Sequence, residues 1–156
     1  MSSAEPQYRP SPAAAAIREA RAEDVPAVIR LDERITGIAK PEYWRDTFEG
    51  RSLRSAGVFL VAESGGESVG FIFGEIRAWE FGSPPCGWIF AIGVDPDRRL
   101  AGVGTKLFEE ICRRFKEQGV STVRTMLARD DNLIMSFFRS QCMTAGPFIQ
   151  LDMALD

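Results

Sequence analysis

The stretch from Gly87 to Leu127 constrains the fold more than any other part of the chain. GWIFAIGV, from Gly87 to Val94, is apolar on both faces, which predicts a strand in the middle of a sheet. It stops at Asp95-Pro96 and passes glycines at 102 and 104. Leu107, Phe108, Ile111, Cys112 and Phe115 then recur at helical spacing, with Lys106, Glu109, Arg113 and Lys116 between them. Gly119 ends that helix, and Val120 to Leu127 reads as another strand. Strands joined through a helix pair in parallel, so the sheet holds one crossover unit with a glycine loop at its turn.

The rest of the chain predicts antiparallel neighbours. VFLVAE from Val58, a polar turn at Ser64-Gly65-Gly66-Glu67, and SVGFIFGEIRAW read as a hairpin. Upstream, Ala15 to Glu19 can form a first strand. A helix follows Arg21-Ala22-Glu23-Asp24, with Pro26 in its first turn, and runs to about Ile35; Tyr43 to about Arg54 predicts a shorter one. Downstream, Asp130 or Asp131 can cap a helix through Ser140, and IQLDMALD alternates like an antiparallel strand with one solvated face. Residues 1–14, rich in Ser, Pro and Ala, read as a flexible lead-in to a single domain over 15–156.

Composition removes whole classes of chemistry. A chain of 156 residues, 45% hydrophobic, supports one core. Its 19 Lys and Arg against 22 Asp and Glu leave a net charge of -3 and no electrostatic reason to expect a nucleic-acid partner. Apolar runs reach strand length only, against the ~20 residues that span a bilayer, so no membrane partner is expected. MSSAEPQYRPSPAAAA lacks the basic start and apolar core of a secretion signal, so a cytoplasmic location is expected. There is no histidine, and cysteines at 86, 112 and 142 form no CxxC pair. Ser-His and Cys-His nucleophiles are excluded and no metal site is expected, which leaves carboxylates, hydroxyls, backbone groups and water.

VDPDRRLAGVGT lies between a buried strand and a helix start, where amides lack intrahelical acceptors and the dipole favours an anion. A diphosphate suits such a place. Gly102 and Gly104 let the backbone approach phosphate oxygens, while Arg99 and Thr105 add charge and a hydroxyl. The same glycines also suit a plain tight turn, and the loop by itself leaves both readings open. Neither G-x-x-x-x-G-K-[ST] nor a G-x-G-x-x-G with its distant acidic residue is present.

Arg99-Leu100-Ala101-Gly102-Val103-Gly104 matches the pattern [QR]-x-x-G-x-[GA], approached by Val94-Asp95-Pro96-Asp97-Arg98. With the order of elements from about Ile17 to Leu155, these residues make the chain resemble the GNAT superfamily of acyl-CoA-dependent N-acyltransferases. The resemblance implies an α/β (α+β) GNAT-like fold: a mixed, mostly antiparallel central sheet with a splayed parallel strand pair, flanked by helices. It implies acetyl-CoA as co-substrate. Backbone groups of Ile92, Gly93 and Val94 would hold the pantetheine arm; Arg99, Leu100, Ala101, Gly102, Val103, Gly104 and Thr105 would bind the pyrophosphate, and Asn132 would contact the cofactor. The implied chemistry is direct transfer to an amine, with no covalent enzyme intermediate.

Three positions depart from that pattern. Phe138 stands where many relatives carry an acidic tyrosine hydroxyl, so the acid is another group, water, or unnecessary because the thiolate leaves unprotonated. Cys142 stands where relatives usually have glycine, and reads as a structural substitution, with a reactive thiol as the alternative. Trp88 occupies the place of a glutamate base on the central strand. Glu75, in parity with Phe71 and Phe73, and Glu80, in the Trp79-Glu80-Phe81-Gly82 loop, are the candidate bases, with solvated surface carboxylates as the alternative. Tyr43, Trp44, Trp79 and Trp88 belong either to an acceptor pocket or to the core. The expected acceptor is a small-molecule amine, a protein lysine or a protein N-terminus, and the expected assembly a monomer or homodimer. Two other readings stay open: a non-catalytic CoA-binding module, and a nucleotide-binding regulator.

Overall fold

The computed structural model describes residues 14–53 and 57–156, arranged as two compact units that divide between Thr125 and Met126. The first unit contains strands β1 (Ala16–Glu19), β2 (Gly57–Ser64), β3 (Glu67–Arg77), β4 (Cys86–Val94) and β5 (Val123–Thr125). Helices α1 (Val25–Thr36), α2 (Pro41–Leu53) and α3 (Val103–Glu117) complete it. The strands lie in the order β1-β2-β3-β4-β5, antiparallel throughout except for the β4–β5 pair, which is parallel.

Glycines report which face each strand position shows. A Cβ on Gly70 or Gly74 would meet Val103, Leu107, Ile111 or Phe115, so these β3 positions face α3. By strand alternation Phe71, Phe73, Glu75 and Arg77 face the opposite side. There α1 and α2 cover one end of the sheet with Val28, Leu31 and Trp44 against Phe59 and Phe71. Trp44 is 1% exposed, and its indole Nε1 donates to the buried Asp32 carboxylate at 2.8 Å. It therefore belongs to the core and not to an acceptor pocket. Arg18 grips the buried Asp24 through its Nη1 and Nη2 at 2.7 and 2.9 Å, and the Arg21 amide donates to the same carboxylate at 2.7 Å. These bonds, led by Arg18, hold the Asp24 carboxyl below the usual carboxylate range and tie β1 to the entry of α1.

Two expected strands change. Instead of spanning Val120 to Leu127, β5 covers Val123–Thr125; among the described residues it is bonded along one edge only, to Gly87–Ile89. In the second unit, Asp131 caps α4 (Asn132–Ser140) by accepting from the Ile134 amide at 3.2 Å. The alternating stretch 149–156 forms no strand: Ile149, Leu151, Met153 and Leu155 are exposed. Alternation specifies which side chains share a face, but a strand also needs a neighbouring backbone to bond. Among the described residues no helix is long and apolar enough to cross a membrane.

Candidate active site

β4 runs on for five residues after β5 leaves it. The last paired rung is Ile89↔Thr125, where the Thr125 hydroxyl donates to the Ile89 carbonyl at 2.9 Å. From Phe90 to Val94 the strand is bonded to β3 alone among the described residues. Asp95 donates its amide to the Val69 carbonyl at 2.8 Å, so by alternation Gly93 and Ala91 also point their amides at β3. Ile92 and Val94 direct theirs to the open edge. Gly93, expected among the backbone contacts, has a packing role: a Cβ there would sit 2.5 Å from the Phe71 ring and 3.0 Å from Ile35 Cδ1.

The register explains why the edge opens at this point. Phe73 opposes Ala91 while Gly74 opposes Ile89, so Phe90 is an extra residue in β4, a bulge that re-aims the strand. Its ring stacks on Phe73 at 5.8 Å. The apolar run in β4 predicts a buried central strand but carries no sign of a bulge.

Past the end of β4, a 3-10 turn at Pro96–Ala101 leads to Gly102, at φ 73°, and then to α3. Asp95 opens that turn by accepting from the Asp97 amide at 3.0 Å. Gly102 takes the left-handed conformation that favours glycine, which brings Val103 and Gly104 into the first turn of α3, where amides have no intrahelical acceptor. The Lys106 amide is engaged, donating to the Gly102 carbonyl at 3.1 Å. The Arg99 and Lys106 side chains are exposed around this corner. Asp95 and Asp97 beside it would repel an anion, but Arg34 from the last turn of α1 pairs with them at 3.0 and 3.1 Å. This clamp escaped the sequence because its members lie 61 and 63 positions apart. The chemistry of the corner, a helix start flanked by cations with two acids masked, fits a pyrophosphate.

On the α1/α2 face, beyond the covered end, Glu75, Arg77, Trp88 and Phe90 lie together. Glu75 stands opposite Trp88 and is half-buried, and among the described residues its carboxylate has no hydrogen bond or ion pair. Arg77 lies over the Trp88 and Phe90 rings at 5.5 and 5.7 Å and holds Glu80 through Nε and Nη2 at 2.6 and 2.5 Å. The two candidate bases thus differ: Glu80 is committed to a guanidinium and Glu75 is available. Tyr43 is half exposed on α2, in edge contact with Trp44. Asn132 opens α4 in the second unit, its amide donating to the Asp130 carbonyl at 3.0 Å. Cys142, also in that unit, has φ 65°, so the position that suits glycine in the family pattern is left-handed here too. Among the described residues no group of three or more His, Cys, Asp or Glu side chains is placed to hold a metal ion.

The Acetyltransferase (GNAT) family profile matches residues 15–139. An L-2,4-diaminobutyric acid acetyltransferase of Nocardia farcinica is 29% identical over 90 residues, which are 58% of this chain and 45% of that protein. The chain thus spans less than half the length of that relative. An acetyltransferase of Pectobacterium atrosepticum is 27% identical over 139 residues, 83% of this chain and 92% of its own length. Among solved structures, the aminoglycoside N-acetyltransferase AAC(6')-Iy in complex with CoA superposes with a TM-score of 0.82 at 15% identity, over 94% of this chain and 99% of that one. The aminoglycoside acetyltransferase meta-AAC0020 from an uncultured soil metagenomic sample, in complex with sisomicin, gives 0.73 at 19% identity, over 92% and 97%. These structural likenesses speak for the fold, the profile for the family. The parallel pair that parts at Ile89, the glycine turn into α3 and the matched profile agree: the chain belongs to the GNAT family of acyl-CoA-dependent acetyltransferases.

Proposed function

We propose that this chain transfers an acetyl group from acetyl-CoA directly to the primary amine of a small molecule, with Glu75 as the base. The observation that carries the reading is the open edge of β4 from Phe90 to Val94, with a cationic helix start at one end and an unpartnered carboxylate at the other. Ile92 and Val94 present the backbone groups that bind a pantetheine amide chain in the manner of a strand. Gly102, Val103, Gly104 and Thr105, with Arg99 and the neighbouring Leu100 and Ala101 backbone, receive the pyrophosphate. Acetyl-CoA supplies an acyl carbon activated as a thioester.

Glu75 takes a proton from the ammonium form of the acceptor, directly or through water, and the freed amine bonds to the acyl carbon as the carbon–sulfur bond breaks. With a thiol pKa of ~8.5, the sulfur departs as thiolate, and the second proton, shed by the nitrogen as the amide forms, reaches it through water, so no tyrosine is required. Relatives named for amine acceptors, a diaminobutyric acid and aminoglycosides, support an amine as acceptor class.

Thiol release from acetyl-CoA across a panel of primary amines tests the reading. Turnover with any of them rejects a non-catalytic CoA-binding module, and tight acetyl-CoA binding with no turnover rejects the transferase. Glu75→Gln should lower kcat by about 10²-fold or more with acetyl-CoA affinity unchanged. Arg99→Glu should raise the acetyl-CoA Kd by about tenfold or more, the loss of one charge-assisted contact. Unchanged values in both variants would leave the assigned site without support.

A further inference from the structure

Residues 78–85 join β3 to β4, and their backbone is costly to hold. Trp79 has φ 65°, Phe81 φ 48° and Gly82 φ 74°, so three of four consecutive residues are left-handed and two of them carry large aromatic side chains. Beta-carbon sterics disfavour that conformation for both aromatics. Burial does not repay it, because Trp79 is 70% exposed and Phe81 is fully exposed. Strain of this kind persists only where surrounding bonds dictate it.

Those bonds are present. The Trp79 amide donates to the Ser83 carbonyl at 2.7 Å and the Ser83 amide to the Glu80 carbonyl at 2.9 Å. Arg124 on β5 donates to the Ser83 hydroxyl at 2.5 Å. Between the two aromatics, Glu80 is anchored by Arg77, which itself lies across Trp88 and Phe90. The turn is therefore tied to the face that carries Glu75, and both parted strands hold it.

We propose that Trp79 and Phe81 form an aromatic lip of the acceptor site, and that the acceptor is a primary amine bearing an aromatic ring. The assignment rests on the transferase reading above. A planar ring gains from two exposed aromatic faces, while a polyol would lose water from its hydroxyls against them without new partners. Glu75 suits the single ammonium group, and Arg77, already neutralised by Glu80, supplies no free cation for a second, anionic group.

The test measures thiol release with acetyl-CoA and three acceptors: 2-phenylethylamine, n-butylamine and glucosamine. 2-Phenylethylamine should exceed the other two in kcat/KM by about tenfold or more, as expected for aromatic contact and apolar burial. The double variant Trp79→Ala, Phe81→Ala should raise KM for 2-phenylethylamine about tenfold with kcat held, and leave n-butylamine unchanged. Trp79→Phe, which keeps a planar ring, should retain the preference. Both side chains are exposed, so the variants should melt within a few degrees of the parent. Equal use of all three amines, a preference for glucosamine, or an equal loss for every acceptor in the double variant would overturn the lip while leaving the transferase intact. Binding of acetyl-CoA with no amine turned over would overturn the transferase reading and the lip with it.

Discussion

Gly74→Ala is the sharpest test of how β4 is set against β3. A Cβ on Gly74 would lie 2.4 Å from the Trp88 carbonyl oxygen, 3.0 Å from Phe115 Cζ and 3.2 Å from Ile111 Cδ1. The first contact is with backbone in a strand ladder, so it cannot be relieved by a rotamer change. Reaching even 3.0 Å needs a shift of about 0.6 Å, and Phe115 and Ile111 are wholly buried beside it. Overpacking at such a site costs ~2–3 kcal/mol. Replacing a strand glycine by alanine returns ~0.5–1 kcal/mol through the unfolded chain. The net loss is ~1–2.5 kcal/mol, or a fall in melting temperature of ~2–10 °C for a chain of this size. Because Gly74 opposes Ile89, the residue before the Phe90 bulge, the displaced strand should also misplace Ile92 and Val94 and weaken acetyl-CoA binding.

Thermal melts and titration calorimetry with acetyl-CoA read both effects, and two further glycines calibrate them. Gly70→Ala meets its neighbours only at 3.1 Å, two of the three contacts being side-chain tips, and should cost less. Gly50→Ala, in α2 with nothing within 4 Å, should stabilise by ~0.5–1 kcal/mol. A Gly74→Ala protein as stable as the parent, or no less stable than Gly70→Ala, would refute the packing argument.

Two other perturbations follow from particular contacts. Cys142→Gly should raise stability by up to ~1 kcal/mol, because it removes a beta carbon from a residue at φ 65°; a lower melting temperature would contradict the strain assigned there. Arg113, first, and Arg114 hold the Glu110 carboxyl down at about 2, from an ordinary 4.5. A depressed folded-state value means that this contribution is complete above about pH 4.5 and disappears as the pH falls toward 2. The gap in melting temperature between the parent and Glu110→Gln should therefore close across that window, and a gap independent of pH would dismiss the ion cluster.

Much of the fold was readable because its determinants are local. The hairpin follows from glycines at 65 and 66 between alternating runs, and the Asp131 cap and the amphipathic α3 from helical spacing. The family pattern was legible for the same reason, since the left-handed Gly102 and the helix start after it are contiguous in the chain. Glu75 was placed on the correct face by parity with Phe73, because side-chain direction in a strand repeats every two residues. The last alternating segment shows the limit of that logic: parity held no information about whether another backbone would lie alongside.

By itself, then, the sequence determined the order of elements as far as α4, the crossover unit, the glycine turn into α3 and the absence of histidine chemistry, all of which depend on neighbouring residues or on composition. Only tertiary structure decided that β4 bulges at Phe90, that Arg34 masks Asp95 and Asp97, and that Arg77 occupies Glu80 while Glu75 stays available. Each of these depends on register and on side chains brought together by folding, and a one-residue slip in pairing would reverse every face it involves.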